Sequence, residues 1–307
     1  MEISVILCAH NPREDFLCKA LDALRRQSLP PDRWELLVID NASNKSLADT
    51  LDLGWRPYAQ VIREETLGLT PARLRGIREA SGNILVFVDD DNVLTEHYLS
   101  EALNIEREWP ILGAWGGSIE PWFEAEPPPW SRPYLRYLAI REVNENSWSN
   151  FNDNPGRMPW GAGMCVRRSV ALEYARILAA DPVRRSFDRR GQSLASCGDS
   201  DLAMTACDMG LGTGLFRQLR LTHLITAQRV KEPYLLKLIE GMSYSLAVLA
   251  ALRGYSSQPR SWLSRLRGYA IALRRGLREL RFYHASARGA RKAAREITTW
   301  NRSEEKV

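Results

Sequence analysis

A chain of 307 residues, 45% of them hydrophobic, can bury the core of one large domain, or of one domain with a substantial appendage. Its five cysteines lack CxxC spacing, which argues against a disulfide framework or a zinc knot and makes a reducing cytoplasm the expected setting. The formal charge of +5 is uneven: residues 260–295 carry eleven Lys and Arg against the single acid Glu279, a local +10 that leaves −5 for the rest.

The chain opens on Ile3-Ser-Val-Ile-Leu-Cys8, with Glu2 where a secretion signal would carry Lys or Arg, so no signal peptide is expected. Ser4–Cys8 reads as a strand. Residues 13–27 read as an amphipathic helix with Phe16, Leu17, Ala20, Leu21 and Leu24 on one face, and Glu35–Ile39 as a second strand ending at Asp40. That is a βαβ unit. A short strand follows over Ala59–Ile62, then a helix over Pro71–Ala80 that stops near Gly82. Ile84–Val88, five apolar residues, is too short for a helix and reads as a buried strand that runs into Asp89-Asp90-Asp91.

Strands alternating with helices predict an α/β fold with a mainly parallel sheet, and ligands of such sheets bind beyond the carboxyl ends of the strands. Ala9, His10 and Asn11, then Asp40 and Asn41, then Asp89, Asp90 and Asp91 all fall at such ends. Three adjacent carboxylates repel one another and require water, a cationic side chain or a metal ion. A solvated turn explains the acidic run alone; it does not explain polar clusters at three strand ends.

After Ile111–Trp115, another apolar run, comes Pro121-Trp-Phe-Glu-Ala-Glu-Pro-Pro-Pro-Trp-Ser-Arg-Pro133, whose prolines predict irregular backbone. Six of the ten tryptophans lie in this region, Trp130, Trp148 and Trp160 among them, either packed under loops or presented to a ligand. Trp160-Gly161-Ala162-Gly163 reads as a glycine turn that either tightens the chain or lets backbone approach a ligand. Asp199 and Asp201 then open a helix running to about Met209, where first-turn acids are equally the ordinary choice of a helix N-terminus.

Lys237 and Glu240 interrupt the apolar tract Tyr234–Leu252, leaving fewer than the roughly 18 consecutive apolar residues of a spanning helix, so no transmembrane segment is expected. Leu266, Ala270, Leu273, Leu277 and Leu280 recur at helical spacing, flanked by Arg265, Arg267, Arg274, Arg275, Arg278 and Arg281. This predicts a basic amphipathic helix whose apolar stripe is covered by the acidic body, by a second copy in a homodimer, or by an anionic membrane surface reached through residues 260–295. No nucleic-acid module accompanies the charge, so nucleic acid is not an expected partner.

The stretch from Leu67 to Asn92, with Gly68, Ala72-Arg73, Gly76-Ile77, Ala80 and Gly82 leading into the strand and Asp89-Asp90-Asp91, resembles the family 2 glycosyltransferases of GT-A fold. The resemblance covers about residues 3–225. It implies a GT-A, Rossmann-like domain over residues 1–230, with a nucleotide-binding half at 1–115 and an acceptor and catalytic half at 116–230, followed by a C-terminal helical region at 231–307. Asp40 stands where the family contacts the nucleotide base, and Ala9, His10, Asn11, Arg73, Asp89 and Asp90 fall in the nucleotide-binding segments. Asp89 and Asp91 match the D-x-D that meets the ribose and a Mn²⁺ or Mg²⁺ ion, with His223 as a further metal ligand and Arg229 as a diphosphate contact.

Asp199 matches the catalytic base of inverting members. Thr66 and Leu74 stand where the pattern has asparagines, and Gly198 where it has the Glu before the base, so Asp201 is kept as the alternative base. Trp160, Gly161, Ala162, Trp130 and Trp148 fall in the region that faces sugar and acceptor. What the resemblance implies is metal-dependent, inverting transfer from a nucleotide-sugar, UDP being the first choice. The acceptor would be a glycan or lipid-linked hydroxyl in exopolysaccharide or other surface-glycan assembly, at the inner face of the cell membrane. A nucleotidyltransferase of similar fold is the enzymatic alternative, although Cys8-Ala-His-Asn-Pro12 lacks its Gly-rich basic loop; a non-catalytic membrane-surface protein is the other.

Overall fold

The computed structural model describes residues 1–152, 155–185, 188–189, 194–255 and 261–304. Two units divide the chain, one formed by residues 1–186 and 198–227, the other by 187–197 and 228–307. The assignment of 187–197 to the second unit was not legible in the sequence.

In the first unit β1 (Ile3–Ala9), α1 (Glu14–Arg25), β2 (Trp34–Asn41), β3 (Ala59–Glu64), α2 (Leu69–Glu79) and β4 (Ile84–Asp89) follow the expected order, each bound within two residues or so of its predicted place. Strands β3, β2, β1 and β4 are neighbours in that order and pair in parallel. Every residue of β1 and β2 is buried, as strands covered on both faces require. Helix α1 buries Phe16, Leu17, Ala20, Leu21 and Leu24, the face that its spacing predicted.

The second half of the sheet is built from β5 (Asn92–Leu94), β6 (Leu112–Phe123), β7 (Ser147–Ser149), β8 (Cys165–Arg167) and β9 (Gly212–Ile225). Helices α3 (Tyr98–Glu108), α4 (Arg168–Ala180), α5 (Pro182–Arg185) and α6 (Gly198–Asp208) connect them. Strand β8 is antiparallel to both β4 and β6, so β6 and its parallel partner β9 point the same way as β1 to β4. The carboxyl ends of these long strands therefore share one edge.

Two expectations are corrected here. The prolines at 121–133 do not leave the whole stretch irregular: β6 carries on through Pro121 to Phe123, and a 3₁₀ segment covers Pro129–Leu138 with Pro133 inside it. Proline is tolerated in such a short tight helix, where its fixed φ fits and few amide donors are missed. The boundary at 115/116 also falls inside β6, so the nucleotide and acceptor halves share one sheet.

The pairing of β6 with β9 shifts register between Gly116 and Ser118, and a Cβ at Gly117 would lie 1.9 Å from the Leu219 carbonyl oxygen. Gly117→Ala must push the two strands apart, and is expected to cost about 1–3 kcal/mol of stability. Thermal unfolding followed by circular dichroism measures it; an unchanged melting temperature would mean that the strands part freely there.

In the second unit α7 (Glu232–Leu252) and α9 (Leu277–Glu304) lie together, close enough that a Cβ at Gly289 would meet the Glu240 carbonyl oxygen at 2.1 Å. Glu232 pairs with Arg278 and Arg281, and Glu240 with Arg288. Helix α7 is long and apolar enough to cross a membrane despite Lys237 and Glu240, and a third of its apolar window is buried within the protein. The single basic helix expected over 266–280 is instead two: α8 (Trp262–Arg275) ends at Gly276, whose φ of 110° breaks the helical run before α9.

Candidate active site

The expected strand-end clusters stand together on the shared edge. Asn11 and Ala42 adopt left-handed backbone, with φ of 46° and 51°, turning the chain sharply after β1 and β2. The two loops are laced to each other: His10 Nδ1 lies 2.7 Å from the Asn41 carbonyl, the Asn11 amide donates to Ser43 Oγ at 3.0 Å, and the Asn44 amide donates to Asn11 Oδ1 at 2.8 Å. His10 and Asn11 remain exposed, while Ala9 is buried.

Asp40 is 1% exposed and organises this loop. Its carboxylate accepts from the Ser43 and Leu47 amides, both at 3.1 Å, and from Arg63 at 2.9 Å. Burial would raise its pKa, but the hydrogen bonds from Ser43, Leu47 and Arg63 outweigh burial and hold the carboxyl below its ordinary range. A depressed folded pKa stabilises fully above the ordinary carboxyl value of about 3.9, and that stability is lost as pH falls through the lower folded value. Asp40→Asn should therefore lower the melting temperature at neutral pH, with a deficit that shrinks in acid. A deficit that stays constant between about pH 7 and pH 3 would contradict this linkage.

At the end of β4, Asp89 and Asp90 are half-buried and Asp91 is buried. The Asp89 amide donates to Asn92 Oδ1, and Asn92 Nδ2 donates to Asp91 Oδ1 at 3.0 Å, so the turn holds its own acids in place. Strand β5 then pairs Asn92 opposite His223 on β9, and the Leu224 amide donates to the Asp91 carbonyl at 2.8 Å. This register sets His223 Nε2 3.4 Å from Asp91 Oδ2. Among the described residues no three His, Cys, Asp or Glu side chains stand together as a ready-made metal cluster. One carboxylate and one imidazole still suit Mg²⁺ or Mn²⁺, since such ions keep waters and take most remaining ligands from a bound phosphate.

The glycine turn after Trp160 carries the second part of the site. Phe87 and the turn exchange backbone bonds, Gly163 N–H to the Phe87 carbonyl and Phe87 N–H to the Met164 carbonyl, both 2.9 Å, just before the β4 acids. The Gly161 amide donates to Asp199 Oδ2 at 2.8 Å, and the Ser200 amide to Asp199 Oδ1 at 2.7 Å. A Cβ on Gly161 would lie 2.4 Å from an Arg73 guanidinium nitrogen and 3.3 Å from Asp199 Cβ, so a larger residue there would have to displace the Arg73 guanidinium. Arg73 is thus buried beneath the turn, 5.7 Å over the Phe87 ring. Ala162 is buried beside them, and Trp160 packs partly into the core.

The two candidate bases are separated by their surroundings. Asp199 is half-buried at the start of α6, whereas Asp201 is 1% exposed and 4.0 Å from Arg184. Asp201 is a packed interior carboxylate.

Sequence reasoning missed Arg141. An isolated bridge to Ile119 of β6 places it, its guanidinium stacks 3.5 Å over the Trp160 ring, and it donates to the Met158 carbonyl at 2.6 Å. Burial lowers its pKa to about 10 while the charge of Asp199 pulls the other way, so a cation stands within electrostatic reach of the candidate base. No local motif marks it.

One further residue does not join the assembly as expected. Trp148 lies on β7, opposite Gly214 near the start of β9, and packs partly against the core. Measured along β6, whose Trp115 faces Gly214 and whose Pro121 faces His223, this is about 20 Å from the Asp91 and His223 pair. Trp148 is a packing residue because β9 needs a cover at that end. Arg229 belongs to the second unit. Trp130 is half-buried on the 3₁₀ segment.

Residues 4–157, half of the chain, match the family described as glycosyl transferase family 2, and the chain belongs to that family. Among its relatives, the uncharacterized glycosyltransferase YwdF of Bacillus subtilis is 29% identical over 101 residues, which are 33% of this chain and 37% of that protein. The poly(ribitol-phosphate) beta-glucosyltransferase of Bacillus spizizenii is 30% identical over 112 residues, 35% of this chain and 18% of that protein. The matches thus span less than two fifths of these relatives' length. Among solved structures, S. aureus TarS 1-349 in complex with UDP-GlcNAc aligns with a TM-score of 0.53 at 16% identity, covering 88% of this chain and 76% of that one. That likeness establishes the GT-A fold.

Proposed function

We propose that this chain is a metal-dependent, inverting glycosyltransferase that moves a sugar from a UDP-sugar to a hydroxyl acceptor in surface-glycan assembly. The observation that carries the reading is one connected edge: the Asp91 and His223 pair at the ends of β4 and β9, joined through the Phe87 bonds and the Gly161 turn to Asp199. The UDP-GlcNAc bound by TarS supports the donor class, and the poly(ribitol-phosphate) in the name of the Bacillus relative supports a polymeric hydroxyl acceptor.

In this reading Asp91 and His223 hold Mn²⁺ or Mg²⁺, which when bound neutralises charge on the departing diphosphate. The loops laced by Asp40, Asn11 and Asn41 shape the nucleotide cleft, with Asp89 and Asp90 at its rim. Asp199 takes the proton of the acceptor hydroxyl from the face opposite the leaving group, which inverts the anomeric centre. Its two oxygens each accept one backbone bond, orienting the carboxylate and leaving lone pairs for the acceptor. Arg141 and Arg73 supply positive charge around it, and Trp160 and Trp130 offer ring faces to sugar. Arg229 is kept as a diphosphate contact, and the cytoplasmic face of a membrane as the place of action.

Thermal shift with nucleotide diphosphates and nucleotide-sugars, with and without Mn²⁺, tests the donor. A ligand at 100 times its Kd stabilises by about 2.7 kcal/mol, so UDP with Mn²⁺ should raise the melting temperature clearly and UDP alone much less. Release of UDP from a UDP-sugar on addition of acceptor would establish transfer. Release of pyrophosphate from UTP and a sugar phosphate would instead make the chain a nucleotidyltransferase, and no shift with any nucleotide would sink the catalytic reading.

A further inference from the structure

Helix α8 carries an apolar stripe that the fold leaves uncovered. Trp262, Leu263, Leu266 and Leu273 are 67%, 60%, 56% and 50% exposed, and only Ala272 of this helix is buried. At 100° per residue Trp262, Leu266, Tyr269 and Leu273 fall within about 60° of one another, with Leu263 and Ala270 widening the stripe on one side. The side toward α9 borders the stripe: Gly268 sits against Tyr283, and Tyr269, at the edge of the stripe, meets the edges of Tyr283 and His284. Arg267 and Arg274 flank the exposed stripe on one side and Arg265 on the other, and α8 contains no acid.

The basic residues of α9 are differently placed. Arg278, Arg281 and Arg288 are engaged with Glu232 and Glu240 of α7, whereas no ion pair engages Arg265, Arg267, Arg274 or Arg275 among the described residues. A wide apolar stripe with arginines along both borders matches a lipid monolayer, acyl chains under the stripe and anionic headgroups at its edges. A second copy docking stripe to stripe would bring two rows of arginines together, which charge disfavours.

We propose that α8 is a lipid-docking helix that seats this protein on an anionic membrane surface, with Trp262, Leu263, Leu266 and Leu273 entering the acyl boundary and Arg265, Arg267 and Arg274 at the headgroups. The assignment rests on the second unit alone and needs neither donor nor catalysis, so it stands or falls separately from the enzymatic reading.

Sedimentation of the full chain with phosphatidylcholine vesicles containing roughly 30% phosphatidylglycerol tests it. The protein should pellet with these vesicles and bind at least about tenfold more weakly to pure phosphatidylcholine, or to the anionic vesicles in high salt. Two triple variants separate the contributions: Trp262→Ser with Leu266→Ser and Leu273→Ser, and Arg265→Gln with Arg267→Gln and Arg274→Gln. Each should lose at least about tenfold in vesicle affinity while keeping the parent's circular dichroism and melting temperature, because these side chains are exposed. Absence of binding by the parent protein, or undiminished binding by both variants, overturns the proposal. So does a lipid-free dimer that the serine variant abolishes, which would make α8 a contact between copies.

Discussion

Asp199→Asn is expected to bind donor and metal as the parent does and to turn over about 10²–10⁴-fold more slowly, the usual weight of a positioned general base. The asparagine is nearly isosteric, and its amide oxygen can still accept the Gly161 N–H that now reaches Asp199 Oδ2 at 2.8 Å, so the turn over Arg73 should survive. What disappears is the negative charge and the proton-accepting lone pair. Only the chemical step should suffer, leaving the melting temperature and the donor Kd unchanged.

Asp201→Asn supplies the contrast. That side chain is buried near Arg184, so its replacement should appear as lost stability, with kcat largely retained in the protein that remains folded. A well-folded Asp201→Asn that is inactive, beside an active Asp199→Asn, would move the base two residues along the helix.

Asp91→Ala is expected to remove the Mn²⁺-dependent part of UDP binding, a loss of at least about 10²-fold or on the order of 3 kcal/mol. Of the three acids after β4, Asp91 is the one that β5 and β9 bring to the His223 imidazole. His223→Ala should weaken the same binding to a smaller degree, since the carboxylate and the nucleotide's own oxygens remain as ligands. Titration calorimetry with UDP, with and without Mn²⁺, reads both. Equal Mn²⁺-dependent affinity in Asp91→Ala and the parent would show that the ion is held elsewhere; loss in Asp89→Ala instead would point to the first acid of the run.

The parallel half of the sheet was legible because its signal is local. Apolar runs too short for a helix, such as Ile84–Val88, read as strands covered on both faces, and the 3.6-residue spacing of Phe16, Leu17, Ala20, Leu21 and Leu24 marks one helix face. Carboxylates that follow such runs directly in the chain mark a crevice, because the open end of a parallel strand is where ligands gather. Glycines were legible only as permission to turn; that Arg73 lies directly under Gly161 is a fact of packing.

The sequence by itself thus determined the class of fold, the family, and which polar clusters stand at the strand ends, since period, burial and strand-end chemistry are properties of contiguous residues. Tertiary structure alone decided the rest. Asp199 and Asp201 are identical in type and two residues apart, and only the helix rotation that buries one beside Arg184 and turns the other to the Gly161 amide separates them. His223 reaches Asp91 through an antiparallel register across more than a hundred residues, and Arg141 reaches Asp199 by way of a bridge to β6. Trp148 went to the far end of β9 for the same reason, strand pairing being set by partners distant in the chain. In the tail, a stripe that reads as continuous from Leu266 to Leu280 is cut where Gly276 takes a backbone conformation that no helix continues, leaving α8 with its apolar side in solvent.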